Sequence, residues 1–470
     1  MTVQRLVCVA IVASLTACGG GGGGGGGGGN GGGITPDPCS VSAEKTFVRD
    51  VTNEWYLFPE LLPTQVNINQ FVDAQELLNY MTAAARAQGK DRFFSYVTTK
   101  QSDSSFLQEG QFIGFGFRIR IDGNRVYFME AFENSPASEG GMTRGAELLA
   151  IDSGSGFVGV ANLLPTDPNL SNALGPAAEG VVRGFRFTKN GIVAPDAILT
   201  KRVVAIQPVP SGTAGVAVLS LPSNPAVKVG YVNLRTYITT AATPLRDAFS
   251  QFREQDINYF IVDLRYNGGG LISIAELMGD LFGQARSTTD PYSHLRFRAS
   301  KSSNDMTHYF QPQAESVAPV RIAFITTGGS ASASEMTVNS MKPWAEVAIV
   351  GGDTYGKPVG QSAFDLGDAC NIRLRLVTFR GTNANEEGDY YNGLASTLPF
   401  ACRAADDLSR AMGDPAEGST AEALHWLGTG ACSSVIAGVP AAQKPGSGAE
   451  TRYPVPERPT PAQVNLPGLY

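Results

Sequence analysis

The segment GGSASASEMTVNSMKPWAEVAIVGGDTYGK, residues 328–357, contains a turn of small residues, a helix and a strand in close succession. It follows the apolar run Val320–Ile325, and its own apolar run is Val347–Val350. Small residues let the backbone turn sharply between a buried strand and a helix, and Pro343 ends that helix. The segment therefore predicts a strand-turn-helix-strand unit of an α/β protein.

The same alternation extends across residues 217–400, where near-continuously apolar strands are separated by helices. Apolar strands of this kind indicate an α/β layer protein with a buried sheet. Residues 40–110 instead carry mostly helical periodicity, and from residue 112 the period becomes two, which indicates a β-rich region. The predicted strands of the α/β part are 230–234, 259–264, 320–325, 347–350 and 372–379, and its predicted helices are 244–254, 271–282 and one after Ser332.

Composition narrows the possible functions. The chain has 470 residues, 43% hydrophobic and 17% charged, so it can bury one or more sizeable cores. Its net charge is -7, and it has no Lys/Arg-rich stretch. Because phosphate binding needs a basic face, nucleic acid is excluded as the main partner.

The N-terminus has the pattern of an export signal. Arg5 precedes the apolar run Leu6–Ala13, which is shorter than the about 20 residues that a membrane span needs. The following LTAC resembles a bacterial lipobox, with Cys18 as the lipidated residue; an ordinary secretory signal is the alternative. Gly19–Gly33 is typical of a flexible tether. We therefore expect a lipid-anchored protein of the bacterial cell envelope, on the periplasmic side of the outer membrane, with no membrane contact beyond the anchor.

Four further cysteines, Cys39, Cys370, Cys402 and Cys432, favour disulfides, because their number is even and the chain has an export signal. Three connectivities are open, and we expect Cys370 with Cys402 and Cys39 with Cys432. Metal binding is the weaker alternative, since the chain has no CxxC or Cys/His cluster. We expect no metal and no cofactor.

The turn at Ser332 also suggests that this serine is a catalytic nucleophile. A serine between a strand and a helix stands on a sharp turn, and the free N–H of Ala333 points to where an oxyanion would form. Glycines 268–270, after the strand IVDLR, offer a second backbone donor. The three histidines, 294, 308 and 425, lie outside any segment that resembles a Ser-His-Asp signature, so Lys357 is the candidate base. The alternatives are a helix-capping Ser332 with a solvated Lys357, or Ser330 or Ser334 as nucleophile, and Glu335 suits the helix dipole better than a role as base.

A lysine base must be neutral, yet at an unperturbed pKa near 10.4 only about four lysines in ten thousand are neutral at pH 7. Lowering the pKa by about three units costs about 4 kcal/mol, which burial between apolar strands can impose. We therefore expect Lys357 to be buried, with no carboxylate touching its side chain.

The β-rich stretch GFGFRIRIDGNRVYFMEAFENSPASEGGMTRGAELLAID, residues 114–152, resembles a PDZ domain. Its residues Gly114, Phe115, Gly116 and Phe117 match the loop whose N–H groups hold a peptide C-terminal carboxylate, while the next strand pairs with the peptide. A buried strand start with glycines at a bulge is the alternative.

Together, SASASE, GK 25 positions after Ser332, VDLRYNGGG and VGYVNLRTY resemble the S41 family of C-terminal processing (tail-specific) serine proteases, over roughly residues 39–400. The resemblance implies that Ser332 is the nucleophile, Lys357 the general base and Gln361 the side chain that orients it. Ala333 and one of Gly268, Gly269 and Gly270 would stabilise the oxyanion. The implied division is a lipoprotein signal (1–18), a Gly-rich linker (19–38), a helical domain (39–110), a PDZ-like domain (111–208), an α/β core with ClpP/crotonase-like layers (209–410) and a C-terminal extension with a flexible Pro-rich tail (411–470).

The expected function is that of a serine endopeptidase acting on proteins or peptides with accessible C-termini. A catalytically silent PDZ peptide-binding lipoprotein and an acyl hydrolase of small esters are the alternatives. The apolar sequence Pro467-Gly468-Leu469-Tyr470 is itself the type of ligand that a PDZ groove accepts, so self-inhibition is a further hypothesis.

Overall fold

The structure is a computed structural model that describes residues 37–436 and 451–470. The predicted export signal, Cys18, the glycine run and residues 437–450 lie outside the described residues. The helices are α1 (Val41–Trp55), α2 (Ala74–Met81), α3 (Ala83–Ala87), α4 (Lys100–Glu109), α5 (Pro136–Glu139), α6 (Val160–Leu163), α7 (Ser171–Leu174), α8 (Ala242–Glu254), α9 (Ile272–Leu281), α10 (Ala333–Met341), α11 (Gly418–Thr429) and α12 (Pro461–Asn465).

The strands are β1 (Tyr96–Thr99), β2 (Gln111–Gly114), β3 (Phe117–Asp122), β4 (Arg125–Ala131), β5 (Glu147–Asp152), β6 (Phe157–Gly159), β7 (Val182–Lys189), β8 (Ile192–Val193), β9 (Ala197–Thr200), β10 (Arg202–Ala205), β11 (Val216–Leu221), β12 (Asn224–Asn233), β13 (Tyr259–Asp263), β14 (Pro291–Phe297), β15 (Met306–Tyr309), β16 (Arg321–Thr326), β17 (Glu346–Gly351), β18 (Val359–Asp365), β19 (Ile372–Asn383), β20 (Phe400–Arg403) and β21 (Thr451–Arg452).

The α/β part is built on a sheet of order β11-β12-β13-β16-β17-β20, parallel from β12 onward. Its strands are apolar on both faces because helices cover both. In β13, Phe260 and Val262 pack in one core with α8, α9 and α10, whereas Ile261 packs with Trp426 of α11 on the opposite face. The predicted α/β fold class is confirmed.

The N-terminal helices pack on a second sheet, order β1-β19-β14-β15, with β18 also paired to β19. Leu77 and Leu78 of α2 share a core with Leu374 and Leu376 of β19. The helical prediction for residues 39–110 missed β1, which pairs antiparallel with β19. A four-residue edge strand acquires its structure from its partner, and that partner lies far away in the sequence.

The described residues contain two disulfides, and the expected pairing was wrong. Cys39 bonds to Cys370, and Cys402 bonds to Cys432. Cys39 and Cys370 share the core between the N-terminal helices and β19. Cys402 and Cys432 share the core beneath α11. Tertiary packing, rather than sequence spacing, therefore decides the connectivity.

A third sheet, order β21-β3-β4-β5-β7-β8, forms the β-rich part. Its core is aromatic, with Phe117 edge-on to Phe128 and to Phe185. β3 and β4 form an antiparallel hairpin, and the short helix α5 follows the N-cap Ser135. β9 pairs with β7 in this sheet, whereas β10 pairs with β2 in a separate two-stranded sheet.

The tail was predicted to be loosely ordered, and for residues 451–470 this was wrong. β21 pairs with β3, α12 packs near α4, and Leu466, Leu469 and Tyr470 are buried. The prediction rested on the Pro/Gly-rich composition, which does not show that a few apolar side chains are buried. Among the described residues, no helix combines the length and apolarity that a membrane span requires.

Candidate active site

Ser332 lies at the turn between β16 and α10 in a strained backbone conformation. Its φ is 56° and its ψ is -115°, a combination that a residue with a side chain rarely adopts. Such strain costs about 1–3 kcal/mol and persists only where neighbouring groups hold it. Here the N–H of Ala331 donates to the carbonyl of Asn267 at 3.0 Å, and the N–H of Ser332 donates to Glu335 Oε2 at 3.0 Å. The turn is therefore held from both sides.

The two alternative nucleophiles are bound to the backbone. The hydroxyl of Ser330 donates to the carbonyl of Leu264 at 2.7 Å, and that of Ser334 donates to Asn267 at 2.8 Å. Both serines are fully buried, whereas Ser332 is half-buried and lines a cavity. Of the three serines, Ser332 is the one placed to meet a ligand.

Glu335 links the segments that carry Ser332 and Lys357. Its Oε2 accepts the N–H of Ser332 at 3.0 Å and that of Lys357 at 2.7 Å, and its Oε1 accepts the N–H of Gly356 at 2.7 Å. Burial raises the pKa of Glu335 to about 7, against the hydrogen bonds of Thr354 and these amides. One carboxylate therefore fixes the two backbones relative to each other, a role beyond the expected dipole effect.

Lys357 is 7% exposed. Burial lowers the pKa of its amine to about 8, although Asp91 and Glu335 oppose the shift. The amine nitrogen lies 5.0 Å from the centre of the Phe94 ring, so an aromatic face covers one side of the amine. The structure thus supplies the burial that a lysine base requires.

The glycine loop approaches Ser332 closely. A Cβ on Gly269 would lie 2.8 Å from the Cβ of Ser332 and 3.0 Å from the nitrogen of Ala333, and its φ is +113°. The N–H of Gly269 donates to Asn267 Oδ1 at 3.0 Å, and that of Gly268 donates to the carbonyl of Asn465 at 2.9 Å. Only glycine fits beside the serine and beside Ala333, the first residue of α10.

A cavity of about 570 Å³ brings most of the predicted residues together. Its wall contains Ser332, Ala333, Lys357, Gln361 and Gly270. The rest of the lining is mainly apolar and includes Leu271, Leu295, Phe297, Met336, Phe379 and Tyr390. A cavity with a few polar groups on an apolar wall suits a peptide side chain next to a reacting carbonyl.

Gln361 lines this cavity, but its amide nitrogen donates to the carbonyl of Phe94. It therefore holds the segment whose ring faces the Lys357 amine. Within the described part of the chain, no hydrogen bond joins the Lys357 amine to the Ser332 hydroxyl. Catalytic hydrogen bonds are often long without substrate and tighten when it binds.

The loop Gly114–Phe117 lies at the start of β3, at the edge of the third sheet. The N–H groups of Gly116 and Phe117 donate to the carbonyl of Tyr470, at 2.9 and 3.3 Å. The rings of Phe115 and Phe117 point into the aromatic core. The backbone of the loop binds a chain segment, and that segment belongs to the protein itself.

Sequence reasoning missed two residues of the site. Asn267 is fully buried, and its side chain joins Gly269 to the carbonyl of Leu234. His308 lines the cavity and hydrogen-bonds Asp280 at 3.0 Å. The asparagine within LRYNGGG was a usable signal, whereas His308 reaches the cavity only through the β14-β15 pairing.

Comparisons with known proteins relate the chain to one family of peptidases. Residues 228–389 match the model of Peptidase family S41. The carboxyl-terminal-processing protease of Synechocystis is 26% identical over 274 residues, 57% of this chain and 58% of that protein. The carboxy-terminal processing protease CtpB of Bacillus subtilis is 24% identical over 318 residues, 67% of this chain and 61% of that protein. The chain thus spans about three-fifths of the length of these relatives.

The fold is also shared with a solved structure. A Bacteroides fragilis protein assigned to the S41 proteases superposes with a TM-score of 0.63 at 20% identity, covering 81% of this chain and 97% of that one.

Proposed function

We propose that this chain, which contains a Peptidase family S41 domain, is a serine endopeptidase of the C-terminal processing class, with Ser332 as nucleophile and Lys357 as general base. The observation that carries the proposal is a buried lysine with a pKa lowered to about 8 in the same cavity as a serine on a strained turn. Neither feature is explained by packing alone, because strain and a buried amine both cost stability.

The proposed reaction is acyl transfer in two steps. The neutral amine of Lys357 takes the proton of the Ser332 hydroxyl as its oxygen attacks the peptide carbonyl carbon. The N–H of Ala333 and one amide of Gly268–Gly270 hydrogen-bond the oxygen that becomes negative. The C–N bond then breaks, and Lys357 returns the proton to the leaving amine. Lys357 next takes a proton from water as the water oxygen attacks the acyl carbon. The ester bond to Ser332 then breaks, Lys357 returns the proton to the serine oxygen, and the new C-terminal carboxyl group is released.

Substrate selection is proposed to rest on the loop Gly114–Phe117 within a PDZ-like domain, residues 111–208. The support is that its amides already bind the carbonyl of a residue whose segment pairs with β3, which is the geometry of strand addition. The substrates are then proteins or peptides with accessible C-termini. Export and anchoring through Cys18 complete the proposal, and they place the enzyme in the cell envelope.

The test is cleavage of an unfolded casein-like protein by the full chain and by Ser332→Ala and Lys357→Ala. Both variants are expected to lose at least about a thousandfold in kcat/KM while their thermal unfolding stays cooperative. Ser302→Ala and Lys342→Ala, at exposed or half-buried positions outside the cavity, are matched controls that should retain activity. Persistent cleavage by both dyad variants would refute the assignment.

Assays of peptide binding and of ester hydrolysis on the same proteins separate the alternatives. A silent binding protein would bind C-terminal peptides and cleave none of them. An acyl hydrolase would cleave small esters at a rate that changes in the loop Gly114–Phe117 leave untouched.

A further inference from the structure

Residues 451–470, here called the strap, contact both the peptide-binding loop and the catalytic glycine loop. The strap begins as β21 on the edge of β3 and returns to that same edge at Leu469, which bridges Arg118. Between these points, α12 packs beside α4. One segment of the chain therefore touches the two places that a substrate must reach.

The strap pairs with the edge of β3 as an added strand. The N–H of Tyr470 donates to the carbonyl of Phe117 at 3.0 Å, and the N–H of Ile119 donates to the carbonyl of Gly468 at 2.9 Å. With the two bonds from Gly116 and Phe117 to Tyr470, these contacts use the backbone groups that any added peptide would need. No second peptide can take this edge while the strap holds it.

The side chains of the strap show what the groove prefers. Leu469 is 1% exposed and Tyr470 is 3% exposed. The Tyr470 ring packs in the aromatic core of the third sheet, and its hydroxyl donates to the carbonyl of Asn169 at 2.6 Å. The pocket therefore offers an apolar wall for an aromatic ring and an acceptor for its hydroxyl.

Just before the segment that pairs with β3, the strap reaches the catalytic cavity. Asn465 lines that cavity, and its carbonyl accepts the N–H of Gly268 at 2.9 Å. Arg118, buried beneath the strap, donates to the carbonyls of Pro467 and Tyr266. Gly268 is one of the candidate oxyanion donors, so the strap occupies one of these candidate amides.

We infer that the strap is a built-in competitive ligand, which occupies the groove with a Gly-Leu-Tyr segment and withholds the Gly268 amide until a substrate segment of similar chemistry displaces it. Its effect on cleavage rests on the proposed function, whereas its occupation of the groove does not. A tethered ligand has an effective concentration of about 1 mM, and an added peptide must compete with it. Removing the strap from the groove should therefore tighten binding of that peptide by at least about tenfold.

Two variants of the full chain test this inference. One lacks residues 466–470. The other is Gly468→Ala, since Gly468 has φ +80° and an added Cβ would lie 2.1 Å from the carbonyl oxygen of Ile119. Glu457→Gln, an exposed position of the strap, is the matched control. The probe is a fluorescent peptide of residues 461–470, with a second peptide carrying Tyr470→Phe.

Both variants should bind the peptide at least about tenfold more tightly than the unaltered chain, and the Tyr470→Phe peptide should bind several-fold more weakly. Their kcat/KM on a casein-like substrate should rise several-fold, and added peptide should reverse the gain. Unchanged peptide affinity in both variants, or a loss of cleavage on removal of residues 466–470 in a folded protein, would overturn the inference. If both variants bind the peptide more tightly but neither they nor the unaltered chain cleave the casein-like substrate, the strap does occupy the groove and the proposed function is wrong.

Discussion

The pH dependence of cleavage should report directly on Lys357. Burial lowers the pKa of its amine from 10.5 to about 8. At about 1.4 kcal/mol per pKa unit, this shift corresponds to about 3 kcal/mol against the charged form. About one lysine in ten is then neutral at pH 7, compared with about three in ten thousand for an unperturbed lysine, a gain of about 300-fold in the reactive form.

The assay is kcat/KM for a fluorogenic peptide between pH 6 and 10. We expect the rate to rise about tenfold for each pH unit below 7, and to level off above pH 8 to 9. A profile that levels off near pH 6.5, or that still rises steeply between pH 9 and 10, would refute a lysine base with a pKa of about 8. Lys357→Arg should be inactive at every pH, because a guanidinium stays charged.

A second variant tests whether the pH profile reports on Lys357 or on Glu335. Burial raises the pKa of Glu335 to about 7, so this group titrates in the same pH range. The charge of Arg375 lowers the pKa of Lys357. Arg375→Gln should move the rise of kcat/KM to higher pH, because it removes that charge. Arg186→Gln breaks an ion pair outside the cavity and should leave the pH of the rise unchanged. If the rise of kcat/KM in Arg375→Gln stays at the same pH, the titrating group is not Lys357.

Three further predictions concern the framework of the site. Glu335→Gln puts an amide N–H against backbone donors, so we expect a loss of about 1–3 kcal/mol in unfolding free energy, measured by urea denaturation, and at least about tenfold in kcat. Gly269→Ala should lower kcat/KM by at least about a hundredfold with unchanged circular dichroism, because the added methyl would meet Ser332; near-normal activity would contradict the close approach. Replacing Cys39 and Cys370 with serine opens a bond between residues 331 positions apart and should lower the unfolding free energy by about 2–5 kcal/mol, and an unchanged Tm would count against a structural role for the bond.

Much of the α/β core could be predicted from local pattern. The helix predicted at 244–254 is α8, and the strand predicted at 347–350 is β17, which begins at Glu346. These elements are long or strongly apolar, so local hydrophobic pattern and tertiary burial agree. The strand β1 and the strap could not be predicted in this way, because their partners lie hundreds of residues away in the sequence.

The site divides in the same manner. Ser332, Lys357, Gln361 and the glycine loop follow from short motifs and their resemblance to a known family, and their catalytic roles remain to be tested by the experiments above. Glu335 is part of the SASASE motif, but the motif does not predict that its carboxylate lies between two backbone segments. Its place depends on how α10 packs against the turn before Lys357.

By itself, the amino-acid sequence determined the layered α/β core and the residue types at its turns, because burial periodicity and backbone sterics are local properties of the chain. Only the tertiary structure decided which cysteines pair, which amine is desolvated and which segment pairs with the edge of β3. Each of these depends on groups brought together from distant parts of the sequence, and desolvation and strand pairing exist only once they meet.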